Sequence, residues 1–121
     1  MSKRRPMIAE ADLIPSLYEP RTKNAIIATP GKLLTAMSLS IPSLVPAGTY
    51  QAEIVEKHGS GVVVDWKDVG DVRKAIQMLA SDGALYQRLS NASYEAFRSS
   101  FSWEVMGARL SAAYDKLIAT A

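Results

Sequence analysis

The sequence predicts an α/β fold: a three-layer, Rossmann-like half-domain with a short parallel sheet of about three strands and two helices at its C-terminal end. Three observations carry that expectation. Short apolar segments alternate with capped, amphipathic helical patterns from Ala11 to Asp82. The segment "GVVVD" is a run of valines without alternation, the pattern of a strand covered on both faces in a parallel sheet. After Asp82 the chain holds two further helical patterns and no strand pattern.

The first strand is expected within "ADLIPSLY", Ala11 to Tyr18, where Pro15 requires a sheet edge or a bulge because it cannot donate to a ladder. Glu19 to Ala28 has no clean period and reads as a mobile loop. Thr29-Pro30 then starts a helix, with a capping hydroxyl followed by proline at the first helical position, where no donor is missed. Leu33, Leu34 and Met37 give that helix one apolar face, and Ser40 ends it. The strand "IPSLV" begins at Ile41, so helix and strand meet with almost no loop, as in the second half of a βαβ unit.

The pattern then repeats. "PAGT" is a loop, "YQAEIVEKH" a helix stopped by Gly59, and "GVVVD" the third strand. Asp68 or Asp71 caps the next helix, which uses Val72, Ile76 and Leu79 as its apolar face and stops at Asp82-Gly83. A helix from Ala84 to about Ser99 follows. The last helix has Ser102 as N-cap and carries Val105, Met106, Leu110, Ala113, Tyr114 and Leu117 on one stripe, with Trp103 and Tyr114 read as packing residues.

Length and composition narrow the function classes. A chain of 121 residues is expected to form one domain, residues 1–121, with a frayed basic tail over 1–7. A net charge of +2 is too small to suggest nucleic acid as partner. The absence of cysteine excludes disulfides and thiolate chemistry, and a single histidine, His58, cannot build a multi-histidine metal centre. No apolar run reaches the ~18 residues of a membrane span. A cytoplasmic location is the default expectation.

Ligands of parallel α/β sheets bind beyond the carboxyl ends of the strands. Here that edge comprises Tyr18 to Gly31, Pro46 to Tyr50 and Trp66 to Gly70. Gly31 and Lys32 lie in the first turn of a helix, where free amides, partial positive charge and a lysine favour phosphate. Gly48 allows close backbone approach by a ligand, or makes a turn. Glu53 faces the site or pairs with Lys57 one turn on. Asp65 sits at the same edge or starts a turn, and His58 reads as a cationic contact at a helix C-terminus.

The order of "ADLIPSLYEP", "TPGKLLTAMSLSIPSLV", "AEIVEKHGSGVVVD", "DVRKAIQMLASD" and "FSWEVMGARLSAAYDKL" resembles the C-terminal, donor-binding domain of group 1 type glycosyltransferases with the GT-B fold. The collinear match runs from Ile8 to Leu117 and corresponds to the second half of that domain. The resemblance implies transfer of a glycosyl group from a nucleotide-sugar donor to an acceptor, with the donor diphosphate at Gly31 and Lys32, the ribose near Thr35, and Gly48 in the adjoining loop. It implies no cofactor beyond that donor substrate, no metal and no catalytic residue carried by this half. A homo-oligomer, or a partner chain supplying the missing half, would complete the domain. Many members place two glutamates at the positions occupied here by Ile27 and Thr35, separated by seven residues. A carboxylate there would accept charge-assisted hydrogen bonds from a ribose; threonine offers one neutral bond and isoleucine none. The alternative is a non-catalytic α/β module that oligomerises or docks on a partner.

Overall fold

Three strands form one parallel sheet: β1 (Ile14–Pro15), β2 (Ser43–Pro46) and β3 (Gly61–Val64), in the order β1-β2-β3. The computed structural model describes residues 4–29 and 31–120. Ile14 pairs with Ser43, and Ser43 through Pro46 pair in register with Gly61 through Val64. The α/β half-domain expected from the sequence is therefore present, with its three parallel strands and a helical C-terminal segment.

β1 is only two residues long because Pro15 has no amide to continue the ladder. Its pairing uses the flanking amides instead, Ile14 N donating to Pro42 O and Ser16 N to Leu44 O. The strand covered on both faces is β2, whose four residues are all buried, whereas the valine strand β3 lies at the sheet edge and is only partly covered. Position in the sheet, rather than the density of β-branched residues, decides which strand is enclosed.

Helices cover both faces. On one side Leu33 and Met37 of α3 (Gly31–Ser38), Ala52, Ile54 and Val55 of α4 (Tyr50–His58) and Ala96 of α6 (Gly83–Ala96) pack around Val45. On the other, Ala75 and Val72 of α5 (Val69–Ser81) pack on Leu44, Val62 and Val64. Ile76, expected on the core face of α5, is 45% exposed, and Ala75 takes that role.

Local signals explain most helix ends. The Thr49 hydroxyl accepts from Ala52 N, and Gly59 closes α4 in the left-handed region at φ 66°, which glycine adopts without a Cβ penalty. The Asp68 carboxylate accepts from the amides of Gly70 and Asp71. Asp82 caps α6 through Leu85 N. α3 ends with Ile41 N donating to Ala36 O and with Ser40 at φ 60°, a left-handed position occupied by a side-chain-bearing residue. Pro30, expected at the first position of α3, lies outside the described residues.

Four features differ from the sequence reading. Of the tail expected over 1–7, residues 1–3 lie outside the described residues, and Arg4–Ala9 form a short helix, α1, from which Ile8, like Ala11 and Leu39, packs against the cluster of Ile14, Ala36 and Ile41. The expected loop after β1 contains α2 (Lys23–Ile27), capped by the Thr22 side chain, which accepts from Ala25 N. A π-helical turn, Phe97–Phe101, follows α6 and leads into α7 (Trp103–Ala119), capped by Ser102. α7 buries none of its residues; Trp103 is 76% and Tyr114 59% exposed, so neither is a packing residue in this chain. The last two helices are joined through the π turn rather than packed flank to flank. No helix among the described residues is long and apolar enough to cross a membrane.

Candidate functional site

The carboxyl ends of β1 and β2 are tied together by buried polar groups. The Ser16 hydroxyl donates to Gln51 Oε1 at 2.7 Å, and Gln51 Nε2 donates back to the Ser16 carbonyl at 3.4 Å. Thr49 adds a bond to Pro46 O at 2.8 Å while capping α4. These three side chains are buried, so each polar atom needs a partner inside the protein. The result is a fixed junction between the end of β1 and the first turn of α4, and it holds the β2–α4 loop in place.

Gly48 sits on that loop, exposed, with φ 77° and no atom within 4 Å of where a Cβ would lie. It shares a cavity of about 280 Å³ with Ile26 and Ile27 of α2, with the cap residue Thr49, and with Tyr50 and Glu53 of α4. α2, the helix absent from the sequence reading, supplies the apolar wall. Ile27 occupies the position where the resemblance places a carboxylate, and it gives the cavity an apolar side chain there.

Gly31 and Lys32 are exposed at the start of α3, and Gly31 likewise faces open space. The Lys32 ammonium lies 5.4 Å from the centre of the Tyr18 ring, a cation–π contact between the first turn of α3 and the segment after β1. Thr35 is half-buried one turn on, and its carbonyl accepts from Leu39 N and from the Ser38 hydroxyl. The structure thus brings Lys32 to Tyr18 and Gly48 to Ile27. Gly31, Lys32 and Thr35 are not among the walls of the Gly48 cavity. They form an adjoining patch on α3.

Asp65 serves a turn. Its carboxylate accepts from Lys67 N at 3.0 Å, while Asp65 N donates to the Asp71 carboxylate at 2.7 Å. Glu53 and Lys57 make no ion pair, the described pairs being Arg21–Glu19 and Arg98–Glu95. His58 also differs from the expectation of a cationic helix-end contact. Its ring stands edge-on to Phe101, with centroids 5.5 Å apart, and partial burial, helped by the Lys57 ammonium, holds its pKa below the ordinary histidine value. The helix terminus attracts a cation, but the apolar neighbour and the adjacent ammonium outweigh it.

Two features of this edge carried no local signal. The Ser16–Gln51 pair joins residues 35 positions apart, and the wall formed by Ile26 and Ile27 requires a helix of five residues, too short for a periodic pattern.

No family model matches the chain, and no curated protein matches it by sequence. Among solved structures it is similar to sucrose-phosphate synthase from Thermosynechococcus elongatus, with a TM-score of 0.71 and 22% sequence identity. The match covers 95% of this chain and 27% of that one. At this identity the likeness establishes a shared fold, over a segment that amounts to about a quarter of the neighbour's length.

Proposed function

We propose that this chain is a donor-side piece of a nucleotide-sugar-dependent glycosyltransferase, equivalent to the second half of a GT-B donor-binding domain. The observation that carries the reading is the fold likeness to sucrose-phosphate synthase along nearly the whole chain, combined with an open, glycine-containing edge at the carboxyl ends of the strands. In this reading the first turn of α3, with Gly31 and Lys32, receives the diphosphate. Thr35 offers a single hydrogen bond to the ribose, and Gly48 lets the ligand approach the backbone. A diphosphate draws Lys32 away from Tyr18, at a cost of about 0.5–1 kcal/mol for an exposed cation–π contact, less than an ionic contact returns.

Glycosyl transfer requires donor, acceptor and diphosphate stabilisation held in one closed cleft. This chain supplies one wall, and the carboxylate position reads threonine. The expected affinity for a nucleotide-sugar is therefore weaker than about 1 mM, or some 4 kcal/mol of binding, with no transfer by the chain alone. Titrating uridine and guanosine diphosphate sugars into labelled protein tests this. The expected result is weak, saturable amide shifts at Gly31, Lys32, Thr35 and Gly48 that vanish in Lys32→Ala. Absence of shifts at all four positions refutes it.

A second reading is supported by α7. Trp103, Leu110, Tyr114, Leu117 and Ile118 are each at least half exposed, an apolar surface that favours association with a second copy or with a chain supplying the other half of the domain. Sedimentation velocity over a wide concentration range tests it: a constant monomer argues against self-association.

A further inference from the structure

α7 stands clear of the body of the protein along most of its length. From Ala108 to Ala119 every residue is exposed, and nothing among the described residues covers that stretch. A helix shorter than ~12–15 residues is marginal in water by itself and takes its stability from packing an apolar face. α7 carries such a face, with Trp103, Leu110, Tyr114, Leu117 and Ile118 each at least half exposed. We propose that this face binds a second copy of the chain, the two α7 helices lying antiparallel across a two-fold axis that passes beside Leu110. This pairing rests on the association reading of α7 given above and commits it to one partner.

The exposed area is sufficient for a dimer. A standard interface takes about 800 Å² from each partner, about 60% of it apolar, so each helix must offer roughly 500 Å² of apolar surface. An aromatic side chain carries about 150–250 Å², so Trp103 and Tyr114, at 76% and 59% exposure, provide roughly 300 Å². Met106, Leu110, Leu117 and Ile118, between 38% and 72% exposed, supply about as much again. The polar residues of α7 exclude a lipid surface as the occupant. Glu104 and Asp115 balance Arg109 and Lys116, so the helix has no net charge, whereas a helix that lies on a membrane has a polar face rich in lysine and arginine.

The order of residues along α7 selects a second copy. An isologous interface must be complementary to itself, so each residue meets the one equally far from the axis in the opposite direction. α7 has this symmetry about Leu110: Met106 and Tyr114 lie four residues to either side, and Trp103 and Leu117 seven. At about 3.6 residues per turn, all four project within about 40° of Leu110. Leu110 then meets Leu110 of the second copy. Met106 lies level with the opposite Tyr114, a favourable thioether–aromatic pair, and each indole lies level with a leucine. Antiparallel packing also opposes the two helix dipoles. The bodies, each joined to its α7 at the Trp103 end through the Phe97–Phe101 turn, fall at opposite ends of the pair. Arg109 is one residue from the axis, so the two guanidinium groups flank the same side of the seam. Their repulsion is screened by salt, so added salt tightens this dimer.

Cysteine cross-linking tests the geometry, since the chain has no cysteine of its own. Under mild oxidation Leu110→Cys is expected to form a covalent dimer. Trp103→Cys and Leu117→Cys should each stay monomeric on denaturing gels, while an equimolar mixture of the two cross-links. Sedimentation of the parent chain should give a dimer dissociation constant on the order of 10 μM, falling as sodium chloride is raised. Leu110→Glu, with its folding checked by circular dichroism, should weaken the dimer on the order of 100-fold, and Leu110→Met should stay within about threefold of the parent. Self-cross-linking of Trp103→Cys or Leu117→Cys indicates parallel helices and overturns the proposal, as does a dimer loosened by salt. A dimer that survives Leu110→Glu overturns the role of α7 and leaves self-association standing, whereas a monomer at every concentration overturns both. The donor-binding reading is tested separately, by the amides of Gly31 and Lys32.

Discussion

Gly61 opens β3 opposite Ser43, and replacing it by alanine perturbs the sheet at its most constrained point. An added Cβ would lie 2.8 Å from the Ser43 carbonyl carbon and 2.9 Å from its amide nitrogen, and nearer still to the carbonyl oxygen. Favourable contact between such atoms begins at about 3.5 Å. All three atoms are backbone of the fully buried central strand, so no side-chain tip can swing aside. Relief requires β3 to move outward at its first residue, which breaks the bond from Ser43 N to Ser60 O. Overpacking contributes about 1–3 kcal/mol and the lost buried bond about 1 kcal/mol, so the expected destabilisation is about 3 kcal/mol. For a chain of this size that lowers Tm by roughly 12 °C. Urea unfolding followed by circular dichroism measures it. Gly83→Ala is the control: Gly83 stands in the first turn of α6 with nothing within 4 Å, and the change should stay within about 0.5 kcal/mol or stabilise. If Gly61→Ala unfolds within about 0.5 kcal/mol of the parent, the close approach of the two backbones is wrong.

Three further outcomes follow from particular contacts. The Tyr86 hydroxyl donates to the Asp12 carbonyl at 2.8 Å across 74 positions, so Tyr86→Phe should lower stability by about 0.5–1 kcal/mol in urea melts, with unchanged helix content. Ser40 holds a left-handed φ of 60°, and Ser40→Gly should raise stability by about 1 kcal/mol, read from the same melts. His58 is held below its ordinary pKa, so the unfolded chain takes up a proton at a pH where the folded chain does not. That contribution to stability is therefore intact above about pH 6.5 and is lost as pH falls toward the folded value. Comparing the parent with His58→Gln at about pH 7.5 and about pH 5 should give a shallower acid loss in the variant, and equal slopes would refute the assignment.

The features legible in the sequence were those set by neighbouring residues. Thr49, Asp68, Asp82 and Ser102 cap helices through amides two or three positions away, and Gly59 ends α4 by its own φ. These interactions form wherever the local backbone forms, which is why the boundaries of α4 and the order of the three strands and the longer helices could be read directly. Pro15 similarly limits β1 to the edge by lacking an amide. Tertiary structure alone decided what depended on distant partners. β3 carries the valines, but β2 is the enclosed strand, because enclosure follows from having a neighbour on each side. Gln51 looks like a surface residue of a helix until Ser16 arrives from β1 to satisfy it. Ile26 and Ile27 become a cavity wall only because α2 packs beside the start of α4. Lys32 meets Tyr18, and Lys57 and Arg109 come to line one cavity, through segments far apart in the chain. α7 shows the limit from the other direction: its apolar stripe is plain at helical spacing, but a stripe records a preference for burial and not the surface that provides it, and nothing among the described residues buries it.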